Sequence, residues 1–149
     1  MASSLANLLY HIVFSTKGRQ PLVTEDLREP LFRYIGSIVL KHRGILLEIG
    51  GMPDHLHCLV KCPPSLAMSS MLRAIKSDSS AWVSRRHPDR FFAWQRGYGA
   101  FTVSASQVEV VRRYIRNQEA HHGQWSFEEE YLQMLERHGV EYDERFLWN

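Results

Sequence analysis

A disulfide framework has almost nothing to build on in this chain, whose 149 residues include two cysteines, Cys58 and Cys62. Small secreted domains that depend on such bridges are far denser in cysteine. Long apolar runs are missing as well. The stretch from Leu5 to Phe14 lacks a basic leader and contains His11, so it reads as a strand rather than a signal peptide. No run approaches the roughly 20 apolar residues that a membrane-spanning helix needs. Internal repeats, linkers and low-complexity stretches are also absent, which points to one domain over residues 1–149, large enough to bury a core. The cytoplasm is the expected compartment, with no membrane contact.

An excess of one charge is lacking only in total. The net charge is +2, but residues 1–125 hold 16 Lys/Arg against 9 Asp/Glu, and residues 126–149 hold 2 against 7. A basic body with an acidic tail suits a protein that meets a polyanion on one surface. By itself the same distribution also describes an ordinary solvated face.

Hydrophobic periodicity supplies the elements. Leu8 to Ser15 is rich in β-formers and ends in the basic turn Lys17-Gly18-Arg19-Gln20-Pro21. Thr24 is placed to cap a helix over 25–43, with Leu27, Leu31, Tyr34, Ile35, Ile38 and Val39 at helical spacing and Pro30 awkwardly inside it. Short strands follow at 45–49, closed by Gly50-Gly51, and at 55–62. Ser65 is expected to cap a second helix carrying Met68, Met71, Leu72, Ile75, Ser79 and Trp82. A strand at about 100–104, a third helix over 107–122 capped by Ser106, and a short helix over 127–138 complete the chain. The order predicts an α+β fold, a ferredoxin-like βαββαβ antiparallel sheet with an added C-terminal helix.

Two local patterns carry chemistry. In Pro53-Asp54-His55-Leu56-His57, strand alternation sends His55 and His57 to one face and Leu56 to the other. Two imidazoles so placed can share a divalent metal, although an isolated pair of this kind is more often two half-exposed strand histidines. Cys58 and Cys62 fall on the Leu56 face, so a regular strand cannot bring them to the same ion, and they read as buried, reduced thiols. In the third helix, Val108, Val111 and Ile115 form a packing stripe, while Tyr114, Gln118 and His121 follow one another along a second edge. Alone, a helical tyrosine is usually a packing residue.

In this order and setting the chain resembles the HUH single-tyrosine transposases of bacterial insertion sequences, the insertion-sequence-200/605 type. The resemblance runs through HIVFSTKGRQPL at 11–22, GGMPDHLHCLV at 50–60, the helix containing Lys76, WQRGYGAFTVS at 94–104 and YIRNQEAHH at 114–122. It implies a divalent ion, Mg2+ or Mn2+, held by His55, His57 and Gln118. It also implies that Tyr114 attacks a scissile phosphate of single-stranded DNA to give a 5′-phosphotyrosine link and a free 3′-hydroxyl. A tyrosine has a pKa of about 10, so the phenol needs help to lose its proton, and His121 and His122 are the candidate helpers. The family recognises hairpins near element ends and works as a homodimer, with the tyrosine helix often docked on the partner's histidines.

Cations and aromatics suited to phosphates and unpaired bases are Lys17, Arg19, Arg73, Lys76, Trp94, Arg96, Tyr98, Arg112, Arg113 and Arg116. Each has a plainer reading as a solvated cation or a core aromatic. The main competing function is a domesticated hairpin-binding relative, either the repetitive-palindrome-associated type or an inactive nucleic-acid-binding module. The former typically carries asparagine where Gln118 stands. An RNA-recognition domain of the same βαββαβ plan would want aromatics on its central strands, where this chain places histidines.

Overall fold

Side-chain alternation along the strands decides how this protein is layered. The computed structural model describes residues 4–148. Strands β1 (Leu8–Ser15), β2 (Ile45–Met52), β3 (His55–Cys62) and β4 (Gly99–Thr102) form one sheet in the order β2-β3-β1-β4. Every pairing is antiparallel. Helices α1 (Glu25–Lys41) and α2 (Met68–Arg86) make the two crossovers, giving the expected βαββαβ order.

One face of the sheet is built on apolar side chains. Ile12 and Phe14 of β1 and Leu56, Cys58 and Val60 of β3 pack against Leu27, Leu31 and Ile35 of α1 and Met71, Leu72 and Ile75 of α2. Burying each such aliphatic side chain is worth about 1.5–3 kcal/mol, so this layer carries most of the cohesion. Both cysteines lie here as free thiols, and burial pushes the Cys58 thiol up to about 12.

The other face is mixed. It carries His11 and Val13 from β1, His55, His57 and Leu59 from β3, and Phe101 from β4, all buried. It is covered by α3 (Val108–Arg116), α4 (Gln118–His122) and α5 (Phe127–Arg137), followed by a short α6 (Glu144–Leu147). Val13 and Phe101 pack with Phe127, Tyr131, Met134 and Leu135. The Ser126 hydroxyl caps α5 by accepting from the Glu129 amide at 3.1 Å, and three glutamates occupy its first turn, where the helix dipole favours them.

Several details differ from the sequence reading. The expected helix over 107–122 is broken at Asn117 (φ −97°, ψ 28°) into α3 and α4, and a 3-10 turn at Ala105–Gln107 precedes it. Thr24, at the expected N-cap, spends its hydroxyl on Asp26 rather than on a backbone amide. Neither Ser65 nor Ser106 caps a helix, and α2 begins at Met68. Strand β2 runs through Gly50 and Gly51 instead of stopping before them.

The two glycines are needed where they stand. A Cβ on Gly50 would lie 2.3 Å from the Ile115 carbonyl oxygen, and one on Gly51 would lie 2.2 Å from the His55 carbonyl oxygen. Gly50 thus lets α3 lie flat on the sheet, and Ile115 is fully buried there. Replacing Gly50 with alanine is expected to destabilise the protein by about 1–3 kcal/mol, the usual range for forced overpacking. Urea unfolding measures this directly, and an unchanged midpoint would show that α3 does not depend on the close approach.

Candidate active site

Because β3 alternates, His55 and His57 share one face, and both are fully buried. Each is oriented by a partner behind it. Asp54 Oδ1 accepts from His55 Nδ1 at 2.8 Å. His57 Nδ1 lies 2.8 Å from Nε2 of His11, which comes from β1. These contacts turn both Nε2 atoms toward the overlying helices. Phe127 stacks on His55 with ring centroids 4.2 Å apart.

The break at Asn117 brings three more groups to the same point. Gln118, at the start of α4, is buried, and its Nε2 donates to the Tyr114 carbonyl at 3.4 Å and to Glu130 Oε2 at 3.3 Å. That fixes the amide, so Gln118 Oε1 faces His55 Nε2 at 3.2 Å and His122 Nε2 at 3.1 Å. His122 Nδ1 donates to the Trp125 carbonyl at 2.8 Å. Glu130, from α5, places Oε1 2.9 Å from His57 Nε2, 3.3 Å from His122 Nε2 and 3.5 Å from His55 Nε2. The Tyr114 hydroxyl donates to Glu130 Oε2.

The tautomers make this cluster chemically specific. A carbonyl can only accept, so the His122 proton sits on Nδ1, and an ionised Asp54 holds the His55 proton on Nδ1 in the same way. The Nε2 lone pairs of His55 and His122 then point at the oxygens of Gln118 and Glu130. Acceptors facing acceptors at 3.1–3.5 Å need a proton or a cation between them. Three imidazole nitrogens, an amide oxygen and a carboxylate oxygen form a donor set suited to a divalent transition ion, and His55, His122 and Glu130 already lie within 4.8 Å of one another.

Charge follows the same contacts. Burial opposes the Glu130 carboxylate, but the His55 and His57 imidazoles beside it prevail and hold its pKa far below the usual range. Burial, reinforced by Glu130, pushes the Tyr114 phenol well above its ordinary value. Burial lowers His57 against the opposing pull of Glu130, and it lowers His11 further, with His57 contributing. For His55, bonds to Asp54 and Glu130 outweigh burial and raise it.

The structure therefore brings together His55, His57, Gln118 and Tyr114, all from one chain. Of the two proposed helpers, His121 lies against the Tyr114 ring with centroids 4.5 Å apart, whereas His122 joins the donor cluster instead of the phenol. Glu130 was missed, hidden in the acidic tail. Its spacing held a signal: with Phe127, Tyr131 and Met134 it falls on the buried side of α5, and a carboxylate on an apolar stripe needs a partner.

The other expected contacts divide into groups. Arg73, Lys76, Trp94, Arg96 and Tyr98 line one cleft of about 580 Å³ beside α2. Within it, Lys76 is spent on the carbonyls of Gln95, Arg96 and Gly97 at 2.7–3.3 Å. The Trp94 indole packs edge-on to Phe14 and Phe92 and donates to Ser79, which leaves Arg73, Arg96 and Tyr98 exposed. Arg112 and Arg116 both bind Glu48 of β2, at 3.3 and 3.0 Å, and so fasten the tyrosine helix to the sheet. Arg19 pairs with Glu128 at 2.5 Å and lies over the Trp148 ring. Lys17 and Arg113 are exposed.

Comparison with known proteins supplies the family. The model described as "Transposase IS200 like" matches residues 4–118. The transposase for insertion sequence element IS200 of Salmonella typhimurium is 30% identical over 128 residues, covering 79% of this chain and 81% of that protein. The ISDra2 transposase TnpA of Deinococcus radiodurans is 23% identical over 117 residues, covering 74% and 84%. Among solved structures, one from Deinococcus radiodurans R1 assigned as a transposase superposes with a TM-score of 0.65 at 22% identity, over 79% of this chain and 95% of that one. A REP-associated tyrosine transposase bound to a REP hairpin gives 0.61 at 15% identity, over 84% and 76%. With the family match spanning both histidines, the tyrosine and the glutamine, this chain belongs to the IS200-like transposases.

Proposed function

We propose that this transposase cuts and rejoins single-stranded DNA by transesterification, with Tyr114 as the nucleophile and a divalent ion in the cluster of His55, His57, Gln118, His122 and Glu130. One observation carries the reading. Glu130 contacts the Tyr114 hydroxyl through Oε2 and the histidines through Oε1, so the nucleophile and the donor set meet at a single side chain.

The phenol oxygen attacks phosphorus and the P–O3′ bond breaks. The phenol proton is given up to solvent, the 3′-oxygen leaves as a hydroxyl after taking up a proton from solvent, and a 5′-phosphotyrosine link remains. Attack by another 3′-hydroxyl reverses these steps and joins two strands without an external energy source. A bound cation supplies positive charge against the phosphate oxygens and favours the ionised phenol. Three imidazoles favour manganese over magnesium. Asp54 and His11 orient the two strand histidines from behind.

Hairpin recognition and a homodimer complete the proposal. The hairpin rests on the family and on the REP hairpin bound by the related structure, and the exposed cations of the α2 cleft are the surface offered to it. The family resemblance implies docking of the tyrosine helix on a partner's histidines, and the contacts within this chain favour the alternative, a site completed in one subunit. Tyr114 reaches the histidines of its own chain, because Gly50 admits Ile115 and the break at Asn117 turns Gln118 inward.

Incubating the protein with single-stranded DNA from the end of its own element and Mn2+ is expected to give a covalent adduct that survives denaturation. The adduct should vanish with EDTA or with Tyr114→Phe; an adduct that persists in Tyr114→Phe would assign the nucleophile elsewhere. Asp54→Asn is expected to weaken Mn2+ binding about 10–100-fold, the usual cost of losing a histidine's outer partner. Calorimetric titration measures this, and unchanged affinity would remove Asp54 from the metal-organising role.

A further inference from the structure

The family match ends at residue 118, yet the segment beyond it builds one side of the approach to the nucleophile. A cleft of about 440 Å³ opens onto Tyr114 and Glu130, walled by Trp125, Val110 and Met134, with Arg137 among its lining residues. Trp125 is 44% exposed, so part of its indole is open to solvent. Its backbone is nevertheless clamped on both sides, the amide donating to the His121 carbonyl at 2.9 Å and its own carbonyl accepting from His122 at 2.8 Å. The indole is thus held out into solvent by the same turn that presents His122 to the donor cluster. Trp125 also borders a second cleft of about 430 Å³, shared with Arg19 and Asp54, so it stands between two approaches to one centre.

Arg137 differs from the other cations near the site. Arg19, Arg112 and Arg116 are each paired with a carboxylate. Among the described residues no carboxylate lies within ion-pair distance of Arg137, although its charge is felt at the Tyr114 phenol. A preset aromatic face and an uncompensated guanidinium flanking a tyrosine nucleophile match the parts of a nucleotide, base and phosphate.

We infer that Trp125 and Arg137 form a subsite for the nucleotide adjoining the scissile phosphate, with the base stacked on the indole and a neighbouring phosphate held by the guanidinium. This deepens the strand-transfer reading and rests on it. In this arrangement the segment after residue 118 positions substrate, and Trp125 is a positioning residue rather than a member of the chemical centre. Stacking on an aromatic tolerates any base, so the subsite sets register more than sequence.

The test follows the tryptophan indole N–H signals by NMR while an oligothymidylate octamer is titrated into the protein, with Trp125 assigned from Trp125→Phe. The Trp125 signal is expected to move, while that of Trp82, stacked on Tyr34, stays in place. Trp125→Ala and Arg137→Ala should each weaken octamer binding about tenfold or more at low salt, with Trp125→Phe retaining most of the affinity. A Trp125 signal unmoved at saturation, or alanine variants that bind like wild type, overturns the subsite. Scoring the Tyr114 adduct in parallel separates the two ideas. An adduct with an unmoved Trp125 removes the subsite alone, a shift without an adduct keeps the subsite and removes the chemistry, and neither result removes both.

Discussion

Glu130 Oε1 lies within 3.5 Å of the Nε2 atoms of His55, His57 and His122, with Gln118 and the Tyr114 hydroxyl on the carboxylate's other oxygen. Concentrating that much polarity inside a protein is costly unless each group finds a partner. Here the outer contacts are made within the chain, while the lone pairs of His55 and His122 that face the oxygens of Gln118 and Glu130 call for a proton or a cation between them. The rest of the molecule is arranged so that this cluster can close. Strand β3 carries two imidazoles on one face, β1 supplies His11 behind them, and α3, α4 and α5 converge from above.

The two faces of the sheet divide the labour. Leu56, Cys58 and Val60 alternate with His55 and His57 on one strand, so a single element anchors the apolar core and presents the reactive groups. Rigidity on the core side passes directly to the histidines. On the other side the tyrosine helix is held by Ile115 against Gly50 and by Arg112 and Arg116 on Glu48. Arg112 and Arg116, expected as DNA contacts, thus also fasten the helix that carries Tyr114. Lys76 likewise braces the loop that carries Arg96 and Tyr98.

The strands, the two crossover helices and the placement of His55 and His57 opposite the cysteines were legible in the sequence, because period-two alternation and helical stripes are local signals. Tyr114 and Gln118 were singled out through the family resemblance, and the structure places both beside His55 and His57. The break at Asn117 was not legible: the 107–122 stretch has helical periodicity throughout, and what interrupts it is the fit of α3 and α4 over the sheet. Glu130 and His122 were read as part of an acidic tail and as a proton helper because their place in the cluster depends on long-range convergence that no local pattern reports. Trp94 showed the reverse, an aromatic in a basic setting whose position is fixed by Phe14, Phe92 and Ser79.

Assembly of nucleophile and metal donors within one chain is the claim on which this account turns. The most direct measurement mixes Tyr114→Phe with His57→Ala, co-refolded so that subunits exchange, and scores the covalent DNA adduct against wild type carried through the same procedure. If one chain holds the complete site, neither variant can complement the other and the mixture forms no adduct. Recovery of the adduct, with the tyrosine of one chain acting at the histidines of another, would contradict it.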